Sequence, residues 1–260
     1  MKRVLVTGCS GFVGPYVAEA LGGEGIDVWG TDLRQAVPGM TAGQFSRCDL
    51  TNDDAVRSLL DDIQPDAIVH LAAQSSAGRS FAEPAATIKN NVLPVLHILE
   101  CLRTTHNATR LLSVGSADIY GPVKAEDLPL VETRAANPVN PYSLSKTFQE
   151  QICSQYVSFH GVDVVATRSF NHTGRGQRDV FVLSSFAKQI AEIKLGRREP
   201  VVAVGNVDVK RDFCDVRDVA KAYYALLRKG KRGETYNVCS GQSHSLRELL
   251  EKTADIAGVR

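Results

Sequence analysis

Directly behind a first apolar run, RVLV (3–6), the chain reads TGCSGFVG (7–14), with glycines at 8, 11 and 14. This order of strand, glycine turn and apolar-periodic segment leaves the backbone few choices. Gly8 permits a tight turn, Gly11 lets the backbone come close to a bound pyrophosphate, and Gly14 lets a helix pack closely on the strand. The helix that follows presents its first N–H groups and its positive dipole end to phosphates. Phe12 and Val13 lie in the same turn and are assigned with it to cofactor binding.

The next stretches repeat the theme. Short Val/Ile/Leu-rich runs at 3–8, 26–32, 45–50, 66–73, 110–116 and 162–170 show little alternation, as parallel strands buried on both faces do. Helical patterns at 12–22, 52–63, 84–106 and 141–160 separate them. Such alternation implies right-handed βαβ crossovers and an α/β fold, a doubly wound parallel sheet of the Rossmann type. After residue 170 the rhythm changes. The polar NHTGRGQRD reads as a loop, followed by a helix near 180–196, short strands at 200–204 and 209–213, a helix at 216–229, a strand at 234–238 and a helix at 245–257. We therefore expect residues 1–170 plus about 207–238 to form a dinucleotide-binding domain. Residues 171–206 plus 239–260 then form a smaller, interleaved substrate lobe.

Asp32 ends the second strand run, 18 residues beyond Gly14. A carboxylate there accepts hydrogen bonds from ribose hydroxyls and repels a 2′-phosphate, which favours NAD. Arg34 keeps NADP open, because a guanidinium two residues on can meet that phosphate or stack on adenine. Asp49 has two readings, an adenine contact or a cap before the helix at 52–63.

In NPYSLSKTFQE (140–150), Tyr142 and Lys146 stand four apart, on one face of a helix. Taken alone, such a tyrosine is an ordinary surface aromatic. Beside a dinucleotide site, the ammonium and an oxidised nicotinamide would pull the phenol's pKa down from about 10 and make it a general acid or base. A substrate oxygen also needs a fixed hydrogen bond. Ser116, at the end of the strand run in SVGSADIYG (113–121), would place its hydroxyl over the C-terminal edge of the sheet, where ligands bind in open α/β folds.

The combination of TGCSGFVG, HLAA (70–73), Ser116 ahead of YG, and Y-x-x-x-K resembles the extended short-chain dehydrogenase/reductases, the NAD-dependent epimerase/dehydratase family, which act on nucleotide sugars. The resemblance implies that Tyr142 is the acid/base, that Lys146 lowers its pKa and holds the nicotinamide ribose, and that Ser116 orients the sugar C4 oxygen. It implies a supporting role for Asn91, and cofactor contacts from Leu50, Leu71, Ala72 and Ala73.

TRSFNHTGRGQRD, VDVKRDFCDVRDV and YNVCSG are similar to the GDP-6-deoxy-D-mannose reductase branch, kin of the GDP-mannose 4,6-dehydratases. Arg175 stands where that branch usually has a loop proline. The branch implies that Asn171 contacts the sugar or its diphosphate and that Arg211 binds the nucleotide. Asp212 and Asp215 could hold Arg211 in place, or simply pair with it. A 4,6-dehydratase needs a carboxylate to take the C5 proton, usually a glutamate two residues after the serine. Here Asp118 is one methylene shorter and Ala117 offers nothing, while proton transfer demands heavy atoms about 2.6–3.2 Å apart. The expectation is an NAD(P)H-dependent reduction of GDP-4-dehydro-6-deoxy-D-mannose to GDP-D-rhamnose. The alternatives are a GDP-mannose 4,6-dehydratase, a UDP-sugar 4-epimerase or a non-catalytic dinucleotide-binding protein. Resembling proteins continue well beyond the counterpart of Arg260, so the small lobe is expected to be truncated at its C-terminal end. The resemblance implies a homodimer through a bundle of the helices at 84–106 and 141–160, whose apolar faces could equally be core against the sheet.

The bulk numbers exclude other classes. With 30 basic against 29 acidic residues the net charge is +1, too even to draw in nucleic acid or an anionic membrane. The six scattered cysteines form no C-x-x-C pair, so no metal is expected and reduced thiols in a cytoplasmic protein are.

Overall fold

The protein is described here from a computed structural model, over residues 1–34 and 44–259. β1 (Arg3–Thr7) buries Val4, Leu5 and Val6 almost completely. It is flanked by β2 (Asp27–Asp32) on one side and β4 (Ala67–His70) on the other, both parallel to it. β3 (Phe45–Arg47) extends the sheet beyond β2. β5 (Arg110–Val114), β6 (Val164–Ser169) and β9 (Thr235–Val238) extend it beyond β4. The order among the described residues is β3–β2–β1–β4–β5–β6–β9, every neighbouring pair parallel. This is the doubly wound sheet expected from the continuous apolar runs.

The crossovers are α1 (Gly14–Gly22), α2 (Asp53–Ile63), α4 (Pro84–Thr104) and α5 (Pro141–His160). A short helix, α3 (Ala77–Ala82), precedes α4 and has no counterpart in the periodicity; Ser76 caps it by accepting from Arg79 N at 3.2 Å. The helices are amphipathic where they meet the sheet. Val56, Leu59, Leu60 and Ile63 of α2 join Val95, Ile98, Leu99 and Leu102 of α4 in one core with Leu5, Ile68, Leu111 and Val164 of the strands. Fully burying each such side chain contributes about 1.5–3 kcal/mol.

The chain divides into two compact units, Met1–Ser169 with Ala220–Val238, and Phe170–Val219 with the stretch from Cys239 onward. The second unit holds β7 (Asn171–Thr173), α6 (Val182–Lys194), β8 (Lys210–Asp215), β10 (Ser243–Ser245) and α8 (Leu246–Ala257). α7 (Val216–Lys229) begins in this unit and ends in the first. Three features differ from the sequence reading. Residues 207–219, expected with the large domain, belong to the second unit, because β8 pairs with β7 and β10 rather than with the parallel sheet. The polar stretch after 170 opens as a strand, β7. Residues 200–204 form no strand, because Gln189 takes the place of a neighbouring strand: its amide accepts from Ala203 N at 2.8 Å and donates to Ala203 O at 3.1 Å.

Candidate active site

The glycine turn is built by contact rather than by flexibility alone. Gly8 has φ +66°, and a Cβ on it would lie 2.8 Å from the backbone of Ala72. The turn and the loop after β4 therefore touch, which brings Gly8 to Leu71 and Ala72. Leu71 N donates to Thr7 O at 3.2 Å and Ala72 N to Thr7 Oγ1 at 3.2 Å. A Cβ on Gly14 would lie 2.1 Å from Cys9 O, so only glycine lets α1 start there. Gly11 N donates to Gly8 O at 2.9 Å. α1 begins after Val13 with no side-chain cap and no acidic residue in its first turn, leaving its leading N–H groups open to an anion. This cradle suits a dinucleotide pyrophosphate. Phe12 lies in the turn and packs edge-on against Tyr16, ring centroids 5.9 Å apart.

Asp32, at the end of β2, accepts from Ser10 N at 3.1 Å and from Arg34 N at 3.0 Å, and Arg34 Nε and Nη2 reach its two oxygens at 3.3 Å. Burial works to raise this carboxyl, but the hydrogen bonds and charge of Arg34 outweigh it and hold it below the ordinary range. The predicted NAD and NADP determinants thus meet in one ion pair beside the glycine turn. Asp49 is exposed and accepts from Thr51 N and Oγ1 at 2.9 and 2.8 Å, so it shapes the turn after β3. The N-cap of α2 is Asn52, which accepts from Ala55 N at 3.0 Å. Leu50 is buried, and its carbonyl meets His97 Nδ1 at 3.0 Å.

α5 is launched by a reciprocal cap. Asn140 Oδ1 accepts from Ser143 N at 2.8 Å, Ser143 Oγ accepts from Asn140 N at 3.2 Å, and Pro141 occupies the first turn. That start sets Tyr142 and Lys146 one turn apart, both buried. Ser116 follows the end of β5, where Gly115 runs so close to Thr167 O that a Cβ would lie 2.2 Å from it. Its Oγ accepts from Asp118 N at 3.2 Å and is hydrogen-bonded to the Tyr142 side chain. The structure thus brings Ser116, Asp118 and Tyr142 together.

Lys146 reaches past the phenol. Its Nζ donates to Val114 O at 2.8 Å and to Gln149 Oε1 at 2.9 Å. Burial pushes the phenol up to about 12; the Ser116 hydrogen bond pulls it down and the Asp118 charge pushes it up. Burial also pulls the lysine down to about 8. Burial is the dominant influence on the phenol, and the ammonium is held by Val114 and Gln149. Asn91, fully buried in α4, accepts from Gln74 N at 2.7 Å and donates to Gln74 O at 3.1 Å and to Ser145 Oγ at 2.8 Å.

In the second unit, Asn171 Nδ2 donates to Asp212 O at 3.2 Å. Arg211 is exposed and donates to Lys210 O at 2.9 Å. The aspartates expected to hold it are engaged elsewhere. Asp212 accepts from Ser240 N and Oγ and from Gly241 N at 2.8–3.0 Å, and Asp215 pairs with Arg217. His172 Nδ1 donates to Phe170 O at 3.0 Å.

Sequence reasoning missed Gln149 and His70. Gln149 lies one turn beyond Lys146 on the same face, a spacing that could have marked it. His70 is fully buried and hydrogen-bonded to Thr7 Oγ1 through Nδ1 at 2.9 Å. Among the described residues, no group of three His, Cys, Asp or Glu could hold a metal and no helix is long and apolar enough to cross a membrane.

A parallel sheet of this order, with a tyrosine and a lysine buried one turn apart beside the end of β5, defines an extended short-chain dehydrogenase/reductase. Within that class the chain belongs to the GDP-mannose 4,6 dehydratase family, whose model matches residues 5–260. It is similar to the GDP-6-deoxy-D-mannose reductase of Pseudomonas aeruginosa, 40% identical over 258 residues that cover 99% of this chain and 81% of the relative. The solved structure of RMD from Pseudomonas aeruginosa complexed with NADPH superposes with a TM-score of 0.89 at 40% identity, covering 100% of this chain and 84% of the other. The UDP-glucose 4-epimerase of Thermus thermophilus, solved in complex with NAD, gives a TM-score of 0.88 at 30% identity, covering 99% and 84%.

Proposed function

We propose that this chain is an NAD(P)H-dependent reductase of the 4-keto group of GDP-4-dehydro-6-deoxy-D-mannose, forming GDP-D-rhamnose. The likeness to the Pseudomonas aeruginosa reductase over almost the whole chain carries this reading. The glycine turn of Gly8, Gly11 and Gly14, with Asp32 and Arg34 at the ribose end, fits a dinucleotide, and the solved relatives hold NADPH or NAD. A reduced nicotinamide held there would supply the hydride. Tyr142 donates the proton to the developing alkoxide at C4, and Ser116 holds the same oxygen by hydrogen bonding. A phenol pushed up to about 12 stays proton-loaded at neutral pH, which is the form a reduction consumes. Asp118 reinforces this by disfavouring the phenolate. Lys146 holds the ribose. In the second unit, Asn171 contacts the sugar or its diphosphate, and the exposed Arg211, with no ion pair among the described residues, binds the diphosphate by bidentate hydrogen bonds.

A homodimer through α4 and α5 belongs to the same reading; Leu144 and Phe148 stand partly exposed on α5. Light scattering reads the mass directly. The family match and the Asp118 carboxylate near Tyr142 favour dehydration as the second reading.

The test is NADH and NADPH oxidation with freshly generated keto-sugar, beside Tyr142→Phe. Oxidation by the wild type, lost in the variant, is the expected result. Conversion of GDP-mannose itself, with no oxidation on the keto-sugar, would favour the dehydratase.

A further inference from the structure

Lys146 is the most deeply placed cation of the site, and what holds it is not another charge. Its Nζ has two protein acceptors, Val114 O and Gln149 Oε1. The orientation of the Gln149 amide follows from its other end. Nε2 donates to Ser113 Oγ at 2.8 Å and to Val114 O at 3.2 Å, so the oxygen must face the lysine. Gln149 is 1% exposed and Lys146 4%. Ser113 sits opposite His70 in the sheet register, so the amide is anchored on the central strands.

We propose that Gln149 is the positioning residue of Lys146: its amide, clamped by Ser113 and Val114, fixes the ammonium at the end of β5 and leaves a remaining N–H to meet the dinucleotide ribose. The inference rests on the function proposed above. A hydrocarbon at 149 would release the ammonium from one of its two holds. A carboxylate at 149 would hold it harder and lock its charge.

The amide's neutrality has a consequence for pH. The titratable groups that feel the ammonium are His70 on β4 and Cys153 on α5, and Tyr142 precedes it by one turn on α5. Burial keeps His70 neutral, down at about 3, and the thiol protonated, up at about 11; the phenol stays protonated as well. The lysine is thus stabilised by dipoles alone and titrates between these groups. Folded pKa below the unfolded value means that its charge is disfavoured by folding, and a carboxylate neighbour would reverse that.

The experiment measures NADPH binding by fluorescence titration, and keto-sugar turnover, from neutral to alkaline pH for wild type, Gln149→Leu and Gln149→Glu. Melting curves check that each is folded. The alkaline limb of binding should move down in Gln149→Leu, with affinity weaker by about tenfold, and move up by about one pH unit or more in Gln149→Glu. An alkaline limb at the same pH in all three proteins overturns the proposal, whatever activity is lost. If Gln149→Leu does not fold, the near-isosteric Gln149→Glu decides alone. Wild type that binds NADPH but leaves the keto-sugar untouched sinks only the substrate reading. Wild type that binds no dinucleotide sinks both.

Discussion

Asn91 and Ser145 meet through a 2.8 Å hydrogen bond that ties α4 to the first turns of α5, where Ser145 Oγ in turn donates to Tyr142 O at 2.7 Å. The same asparagine holds the loop after β4 at Gln74. One buried amide therefore sets the position of the tyrosine's backbone relative to the loop that touches the glycine turn. Asn91→Leu leaves Gln74 N unsatisfied and should cost about 1–3 kcal/mol, read as a lower urea midpoint at unchanged slope. An unmoved midpoint would show that the tie is dispensable.

Gly14→Ala should weaken NAD(P)H binding by about tenfold or more, because its Cβ must push away the Cys9 carbonyl and with it the phosphate turn. Gly22→Ala, in the same helix with open space around it, should bind as the wild type does. Fluorescence titration of the two variants side by side separates a local clash from loss of helix.

Arg34 neutralises Asp32 beside the turn, and a Cβ on Gly11 would lie 4.0 Å from its Nη2. Arg34→Ala should raise KM for NADPH about tenfold while changing that for NADH little, since the remaining carboxylate repels a 2′-phosphate and still accepts ribose hydroxyls. Equal effects on the two cofactors would contradict that division of labour.

Glu100 is held down at about 2, chiefly by the Arg103 hydrogen bond and then by that of Tyr156, against an ordinary value of 4.5. A carboxyl lowered by folding contributes stability above its unfolded pKa and loses it as pH falls toward the folded one. Wild type should therefore lose stability between pH 4.5 and about 2 more steeply than Glu100→Gln, as denaturation midpoints across that range will report. Parallel acid limbs would rule out this contribution.

Most of the local geometry of the candidate cofactor end was legible because its determinants are local. Gly8, Gly11 and Gly14 act within one turn, Asp32 ends the strand run it belongs to, and Tyr142 and Lys146 share a face by helical spacing alone. The strand at 200–204 failed for the opposite reason. VVAV has the composition of a strand, but the backbone of Ala203 at its centre is bonded by the side chain of Gln189, which no local pattern announces. The support expected for Arg211 from Asp212 failed similarly: Asp212 is next to it in sequence, yet β-strand geometry turns that carboxylate to Ser240 and Gly241.

The amino-acid sequence by itself determined the parallel α/β architecture, the glycine turn and the pairing of Tyr142 with Lys146 on one helix face, since periodicity, glycine spacing and i, i+4 geometry are properties of short segments. Only the tertiary structure decided what those groups experience. Val114 and Gln149 take the ammonium, Asn91 anchors the tyrosine's helix, and burial rather than the lysine governs the phenol. Desolvation and buried hydrogen bonds depend on atoms brought together from strands and helices far apart in the chain.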